Sequence, residues 1–71
     1  MRDLTSAEIE KFASRKGVRR IAVENFLGSL GQAGSMENEL ANLEQDARMY
    51  PNWIPDTVAA IKAGIKLAYK R

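Results

Sequence analysis

The sequence contains no cysteine and no histidine, and only two prolines and one tryptophan among its 71 residues. Without cysteine there is no disulfide and no thiolate ligand for a metal, and without histidine there is no imidazole for zinc binding or acid–base catalysis. No apolar run approaches the roughly 20 residues of a membrane span, and no two-residue alternation persists long enough to predict a strand. Stability must therefore come from helix packing, from oligomerisation or from a partner.

The composition is that of an ordinary globular chain, with 45% hydrophobic and 28% charged residues. This length predicts a single small domain over residues 1–71. The amino-terminal segment MRDLTSAEIE has no apolar core of a secretory signal, so we expect a cytoplasmic protein. No side chain is placed to activate a serine nucleophile, and the acidic residues lack the spacing of a calcium loop. We therefore expect no enzyme activity, no metal and no cofactor.

The amino-terminal half predicts two helices joined at a glycine. Thr5 is a good N-cap, and Glu8 stands three residues later to complete a capping box. The first predicted helix runs to about Lys16, and Gly17 is a natural left-handed stop. The second runs from about Val18 to Leu30, with a broad apolar stripe on one side.

The carboxy-terminal half predicts two more helices. One begins after Ser35 and ends at Pro51, and the other begins near Pro55. The apolar seam predicted for the third helix comprises Met36, Leu40, Leu43, Ala47 and Tyr50, and the buried face predicted for the fourth comprises Val58, Ile61, Ile65 and Ala68. The sequence thus predicts an all-α, compact four-helix domain.

Charge is unevenly distributed although the net charge is only +2. The segment from Lys11 to Arg20 contains five cations and no acid, residues 37–46 contain four acids and no base, and Lys62, Lys66 and Lys70 recur at helical spacing near the carboxyl end. One interpretation is a solvated surface whose opposite charges meet in the fold. The other is a basic surface for an anion beside an acidic surface for a different partner.

The segment FASRKGVRRIAVENFL, residues 12–27, has the pattern of a helix-turn-helix. The pattern places a small residue in the first helix, a glycine at the turn, an apolar residue after it and further apolar positions in the second helix. The segment resembles the helix-turn-helix of Lac-repressor-type bacterial regulators over these sixteen residues. The matching residues are Ala13, Gly17, Val18 and Val23, with apolar residues also at Phe12, Phe26 and Leu27. Lys16 and Ile21 depart from it, because the motif usually has a small or apolar residue at the first position and a polar one at the second.

The resemblance implies a small DNA-binding protein, a transcriptional regulator that uses its second helix for recognition and acts as a dimer on two half-sites. Arg19 and Arg20 would contact base edges, with help from Ile21 and Asn25. Lys11, Arg15 and Lys16 would hold the phosphate backbone. The alternative for Arg19 and Arg20 is a solvent-facing pair, bridged to Glu24 or to the acidic third helix.

Two further functions are left open by the sequence. The chain could be a helical protein-interaction module, an adaptor or inhibitor, that binds a partner through the acidic helix 37–46 or through Trp53, although a lone tryptophan is more often a core residue. It could also bind RNA or DNA without sequence preference through its basic ends, with strong salt dependence. Burial of Ile21 would argue against groove reading by the second helix, whereas an exposed apolar patch around Trp53 would favour a protein partner.

Overall fold

Four α-helices account for most of residues 3–70, which are the residues described by the structure, a computed structural model. The helices are α1 (Ser6–Ala13), α2 (Arg20–Gly28), α3 (Met36–Met49) and α4 (Pro55–Lys70), and no strand occurs within this range. The predicted all-α fold class is confirmed. The Cα radius of gyration, 10.9 Å, agrees with the roughly 11 Å expected for a folded chain of this length.

The first two helices are shorter than predicted. The capping box is present, with the Thr5 side chain accepting from the Glu8 amide and the Glu8 carboxylate accepting from the Thr5 amide. However, α1 ends at Ala13 rather than Lys16, because the backbone leaves helical geometry at Ser14. The second helix begins at Arg20 rather than Val18, because the Arg19 backbone is extended and its N–H donates to Thr57 Oγ1 at 2.9 Å.

The other two helices begin and end close to their predicted limits. The Ser35 hydroxyl caps α3 by accepting from the Asn38 amide at 3.2 Å. The third helix ends at Met49, two residues before Pro51. The fourth helix begins at Pro55 as predicted, where the missing proline N–H costs nothing because the first helical amides have no intrahelical partner.

Helix α4 is the centre of the domain and packs against all three other helices. Its buried residues are Thr57, Ala60, Ile61, Gly64, Ile65 and Ala68, whereas Val58 is only half-buried. Helix α1 also packs against α2, but in the described residues α2 and α3 do not pack against each other. The two helices therefore share α4 as a common support and leave a groove between them.

Helix α2 lies very close to α4 at Gly64. A Cβ atom at this position would be 2.6 Å from Leu27 Cδ1, well inside van der Waals contact. Leu27 is itself buried, with 3% of its surface exposed. The absence of a side chain at Gly64 thus allows Leu27 to fill the interface between the two helices.

The buried side of α3 differs from the predicted seam. Leu43 is 1% exposed and is the main buried apolar residue of this helix, while Met36, Leu40 and Ala47 are half-buried. Tyr50 lies outside the seam and is 48% exposed. Glu39 is buried instead, although the sequence assigned it to an acidic surface.

Candidate functional site

Five cations surround the turn between α1 and α2, and we call them the basic corner. Its members are Lys11, Arg15, Lys16, Arg19 and Arg20, all of them exposed. The guanidinium of Arg15 lies over the Phe12 ring, 4.9 Å from its centroid, an arrangement that holds the side chain through a cation–π contact. The corner thus presents several positive charges to solvent from about one turn of helix and a short connector.

The turn of the basic corner is held by the first turn of α4. Gly17 has a left-handed φ of 79°, which side chains disfavour. A Cβ at Gly17 would be 2.9 Å from Asp56 Oδ2, so the backbone here approaches α4 closely. The hydrogen bond from the Arg19 N–H to Thr57 adds a second tie, and Thr57 is fully buried. The basic corner therefore lies at the amino-terminal end of α4.

Arg20 is the member of the corner whose charge is balanced within the chain. Its guanidinium pairs with Glu10 on α1 and, at 3.5 Å, with Glu24 one turn later on α2. The hydrogen bond from Arg20 lowers the pKa of Glu10 below its ordinary value, and the same contact raises the pKa of Arg20. Lys11, Lys16 and Arg19 form no ion pair within residues 3–70. These three are freer than Arg20 to meet an external anion.

The outer face of α2 carries the remaining predicted site residues. Ile21 is 58% exposed and Asn25 is exposed on the next turn. The face of α2 that groove reading requires is thus accessible. The connector from Ser14 to Arg19 has six residues, however, whereas a helix-turn-helix has a turn of about three or four.

Ile21 and Asn25 also line a groove between α2 and α3 of about 840 Å³, which we call the α2–α3 groove. The described residues that line it are Arg19, Ile21, Ala22, Asn25, Phe26, Ser29, Gln32, Ala33, Glu39, Asn42, Gln45, Asp46, Tyr50, Asn52 and Trp53. The groove brings Arg19 and Ile21 together with Tyr50 and Trp53, which lie more than 25 positions later in the sequence. Its volume falls within the roughly 300–1,000 Å³ typical of ligand sites.

Two stacked aromatic rings stand at the end of the groove near α4. The rings of Tyr50 and Trp53 are 5.3 Å apart with an interplanar angle of 27°, and the Phe26 ring meets Trp53 edge-on at 6.4 Å. Trp53 is half-buried and packs against the core, while its partner Tyr50 remains about half exposed. The expectation that Trp53 is a core residue thus holds in part, because Trp53 packs against the core and also lines the groove.

The acidic segment 37–46 does not form one acidic surface. Glu37 and Glu44 are exposed, Asp46 lines the groove, and Glu39 is buried with 4% of its surface exposed. The buried carboxylate accepts from the Gly31 N–H at 2.6 Å and from the Tyr69 hydroxyl at 3.3 Å. The prediction of a partner surface across residues 37–46 is therefore wrong for Glu39, whose hydrogen bonds fix the connector between α2 and α3 against α4.

The phenol of Tyr69, which donates to the Glu39 carboxylate, has a raised pKa. Desolvation raises the pKa of Tyr69, and the nearby Glu39 carboxylate raises it further because it disfavours a second negative charge. This contact joins α3 to α4, because Tyr69 lies in α4 and Glu39 in α3. The described residues contain no cluster of three or more acids that could hold a metal ion.

The sequence pointed to Ile21 and Asn25 as DNA contacts and to Trp53 and its flanks as a possible partner anchor, but it did not place them in one groove with Tyr50, Asn42 and Gln45. The spacing of Asn42 and Gln45 does show a polar stripe on α3. What the spacing does not show is that this stripe faces α2.

Within residues 3–70, no helix combines the length and the apolarity needed to cross a bilayer. In comparisons with known proteins, the chain matched no family model, no curated protein and no solved structure.

Proposed function

We propose that the chain is a small DNA-binding protein, a regulator that uses α2 for recognition and the basic corner for phosphate contacts. The observation that carries the proposal is the placement of Ile21 and Asn25, both exposed, beside Arg19, which forms no ion pair within residues 3–70. Lysine and arginine supply the salt-dependent part of DNA affinity through phosphate contacts. Asparagine and an exposed apolar side chain can distinguish adenine and the thymine methyl group.

The cations of the basic corner are not equally available to contact DNA, because Arg20 is already ion-paired. Because Arg20 is already paired with Glu10 and Glu24, moving it to a phosphate or a base would break existing contacts. Arg19 has no such contacts within residues 3–70 and lies at the amino end of α2. We therefore propose Arg19 and Lys16 as the principal DNA contacts, with Lys11 and Arg15 beside them and Arg20 chiefly orienting α2 against α1.

The test is binding to a fluorescently labelled random-sequence duplex, measured by anisotropy at about 0.02 M and about 0.15 M salt. The variant Lys16→Ala/Arg19→Ala should weaken binding at least about tenfold and reduce the salt slope by about two. The matched control is Lys62→Ala/Lys66→Ala, which removes the same charge from the exposed side of α4. Equal losses in the two variants would mean that only net charge matters, and no binding at low salt would refute the proposal.

Selection of a preferred sequence from the same pool separates a regulator from a protein that binds nucleic acid without preference. Dimerisation on two half-sites predicts a palindromic consensus and a mass of two chains per duplex in sedimentation. A single half-site bound by one chain would refute the dimer and leave the DNA contact in place.

A protein-interaction module remains a second candidate because three large apolar residues are exposed near Trp53. Met49 is 61% exposed, Tyr50 48% and Ile54 45%, and contiguous exposed apolar surface marks many partner sites. Met49 and Ile54 lie outside the α2–α3 groove. The variant Met49→Ser/Ile54→Ser should therefore keep DNA binding unchanged. If it instead abolishes binding of the unmodified chain to a partner protein, the protein-interaction function is favoured.

A further inference from the structure

The α2–α3 groove gathers nearly all the carboxamide side chains of the protein. The sequence has six asparagines and glutamines, and five of them line this groove: Asn25, Gln32, Asn42, Gln45 and Asn52. The sixth, Asn38, donates to the Ala33 carbonyl and stabilises the start of α3. None of the five forms a side-chain hydrogen bond within residues 3–70. Each therefore offers both a donor and an acceptor to a ligand.

The aromatic end of the groove supplies a flat apolar surface. Tyr50 stacks on Trp53, and about half of its surface remains exposed. Exposed aromatic rings of this kind are the sites on which proteins stack unpaired bases. Carboxamides complement this surface because a side-chain amide can pair with the donor and acceptor edges of a base.

Positive charge lies at the same end of the groove. The Arg19 N–H is bonded to Thr57 in the first turn of α4, and Trp53 precedes that turn by two residues. Arg19 and the two rings are thus neighbours at one end of the domain. Of the two carboxylates that line the groove, Glu39 is occupied by Gly31 and Tyr69, which leaves Asp46. A neutral sugar or peptide would gain nothing from Arg19 and the basic corner, whereas a nucleotide would use both its base and its phosphate.

We propose that the α2–α3 groove binds an unpaired base of single-stranded nucleic acid. The base stacks on Tyr50, its edge is hydrogen-bonded by the carboxamides, and its phosphate meets Arg19. This inference rests on the proposed binding of nucleic acid at the basic corner, but it assigns the α2–α3 groove a single-stranded ligand rather than the duplex that α2 would read. A base inside a duplex is stacked on both faces and cannot enter a groove between two helices, whereas a base in a single strand or flipped out of a helix can.

The single tryptophan makes the groove directly observable, because Trp53 lies beneath Tyr50 and accounts for the indole fluorescence of the whole chain. The probes are an oligothymidylate of about 15 nucleotides, an abasic deoxyribose-phosphate strand of the same length, and the oligothymidylate annealed to its complement. We expect the oligothymidylate to bind at least about tenfold more tightly than the abasic strand. It alone should quench Trp53.

Variants separate the groove from the basic corner. Tyr50→Ala, or Asn25→Ala/Asn42→Ala, should reduce oligothymidylate affinity to that of the abasic strand without changing abasic binding. Met49→Ala is the matched control, because Met49 is a neighbour of Tyr50 that does not line the groove, and it should bind like the unmodified chain. Circular dichroism of each variant checks that the helices are intact, and the altered residues are all exposed.

The outcomes distinguish the two proposals. If the abasic strand binds as tightly as oligothymidylate and Trp53 fluorescence does not change, the base site is refuted while phosphate binding at the corner stands. The base site also fails if the duplex binds more tightly than the single strand without quenching, which would favour α2 as a duplex reader. If none of the three probes binds at low salt, both the base site and the proposed nucleic-acid function are refuted.

Discussion

Adding a single methyl group at Gly64 should lower the stability of the fold. A methyl group there would overlap the Leu27 side chain, which is buried with 3% of its surface exposed and would have to shift. Overpacking of this kind costs about 1–3 kcal/mol, and the better helix propensity of alanine, about 1 kcal/mol, offsets only part of it. We expect Gly64→Ala to lower the free energy of unfolding in urea.

The matched control for this substitution is Gly28→Ala. Gly28 also lies in a helix, but a Cβ there would contact nothing within 4 Å. We expect this variant to be as stable as the unmodified chain or more stable by up to roughly 1 kcal/mol. A Gly64→Ala protein as stable as the Gly28→Ala protein would show that α2 and α4 are not tightly packed at this point.

The ion pair between Glu10 and Arg20 predicts a specific response to acid. Because Arg20 lowers the pKa of Glu10 below 4.5, the pair contributes stability above that value, and the contribution is lost as pH falls through the folded-state pKa. The difference in thermal midpoint between the unmodified chain and Glu10→Gln should therefore narrow from about pH 7 to about pH 3. Glu44→Gln is the control, since it removes an exposed glutamate that forms no ion pair within residues 3–70. A constant difference for Glu10→Gln would contradict the contact.

Residue roles were predictable from the sequence where their partners are local. The capping box of Thr5 and Glu8 and the bridge from Arg20 to Glu24 join residues three or four positions apart, and the sequence suggests both. Glu39 is different, because its partners are 8 and 30 positions away. No periodicity indicates that a glutamate in an acidic run will turn inward, since burial here depends on donors supplied by the connector and by α4.

Helix α2 begins without a side-chain cap. Its N-cap residue, Arg19, has extended geometry but gives no side-chain hydrogen bond to the first turn, whereas Thr5 and Ser35 cap α1 and α3. Substitution by a capping residue at such a position stabilises a helix by about 1 kcal/mol. We expect Arg19→Ser to raise the free energy of unfolding and at the same time to weaken DNA binding.

The higher stability and the weaker DNA binding of Arg19→Ser can be measured on the same sample, by urea unfolding and by anisotropy with the labelled duplex. Arg19→Ala, which removes the charge without adding a cap, should weaken DNA binding equally and leave the free energy of unfolding nearly unchanged. If Arg19→Ser binds DNA as well as the unmodified chain, Arg19 contributes nothing to the interface. Arg19→Ser would then stabilise the fold without weakening DNA binding.

The number and order of the helices followed from apolar periodicity and capping signals, but the limits of α1 and α2 did not. Arg15 and Lys16 are acceptable helical residues, and Val18 is a normal residue at a helix start. The helices stop short because the connector must reach α4, where Asp56 adjoins Gly17 and Thr57 binds the Arg19 amide. Such contacts join positions about 40 residues apart and are not encoded in a local window.

At the scale of the whole molecule, the central position of α4 should determine how the protein opens. Its residues Ala60, Ile61, Ile65 and Ala68 are fully buried, and it packs against every other helix in the described range. The slowest amide exchange should therefore occur in the middle of α4, since those amides open only in global unfolding. Amides of the connector between Ser29 and Ser35 should exchange fastest. Slowest exchange in α1 instead would show that the first hairpin is the more stable unit.

The groove illustrates the limit of reading a site from sequence. The exposed positions of α2 and the polar stripe of α3 are each visible as patterns, and Trp53 stands out as the single tryptophan. Their convergence depends on α2 and α3 packing separately against α4, which is a property of the tertiary arrangement. Apolar periodicity identifies which side of each helix is buried but not which two outer sides face each other.

The free carboxamides of the groove have a consequence for variation of this protein. Side chains that are exposed and make no internal hydrogen bonds contribute little to folding, so their replacement leaves the helices and the packing around α4 intact. We therefore expect that Asn25, Gln32, Asn42, Gln45 and Asn52 can be exchanged together for other polar, non-proline residues without loss of the fold. If the groove binds a base as proposed, mutation and selection could change its specificity while other residues maintain the stability of the domain.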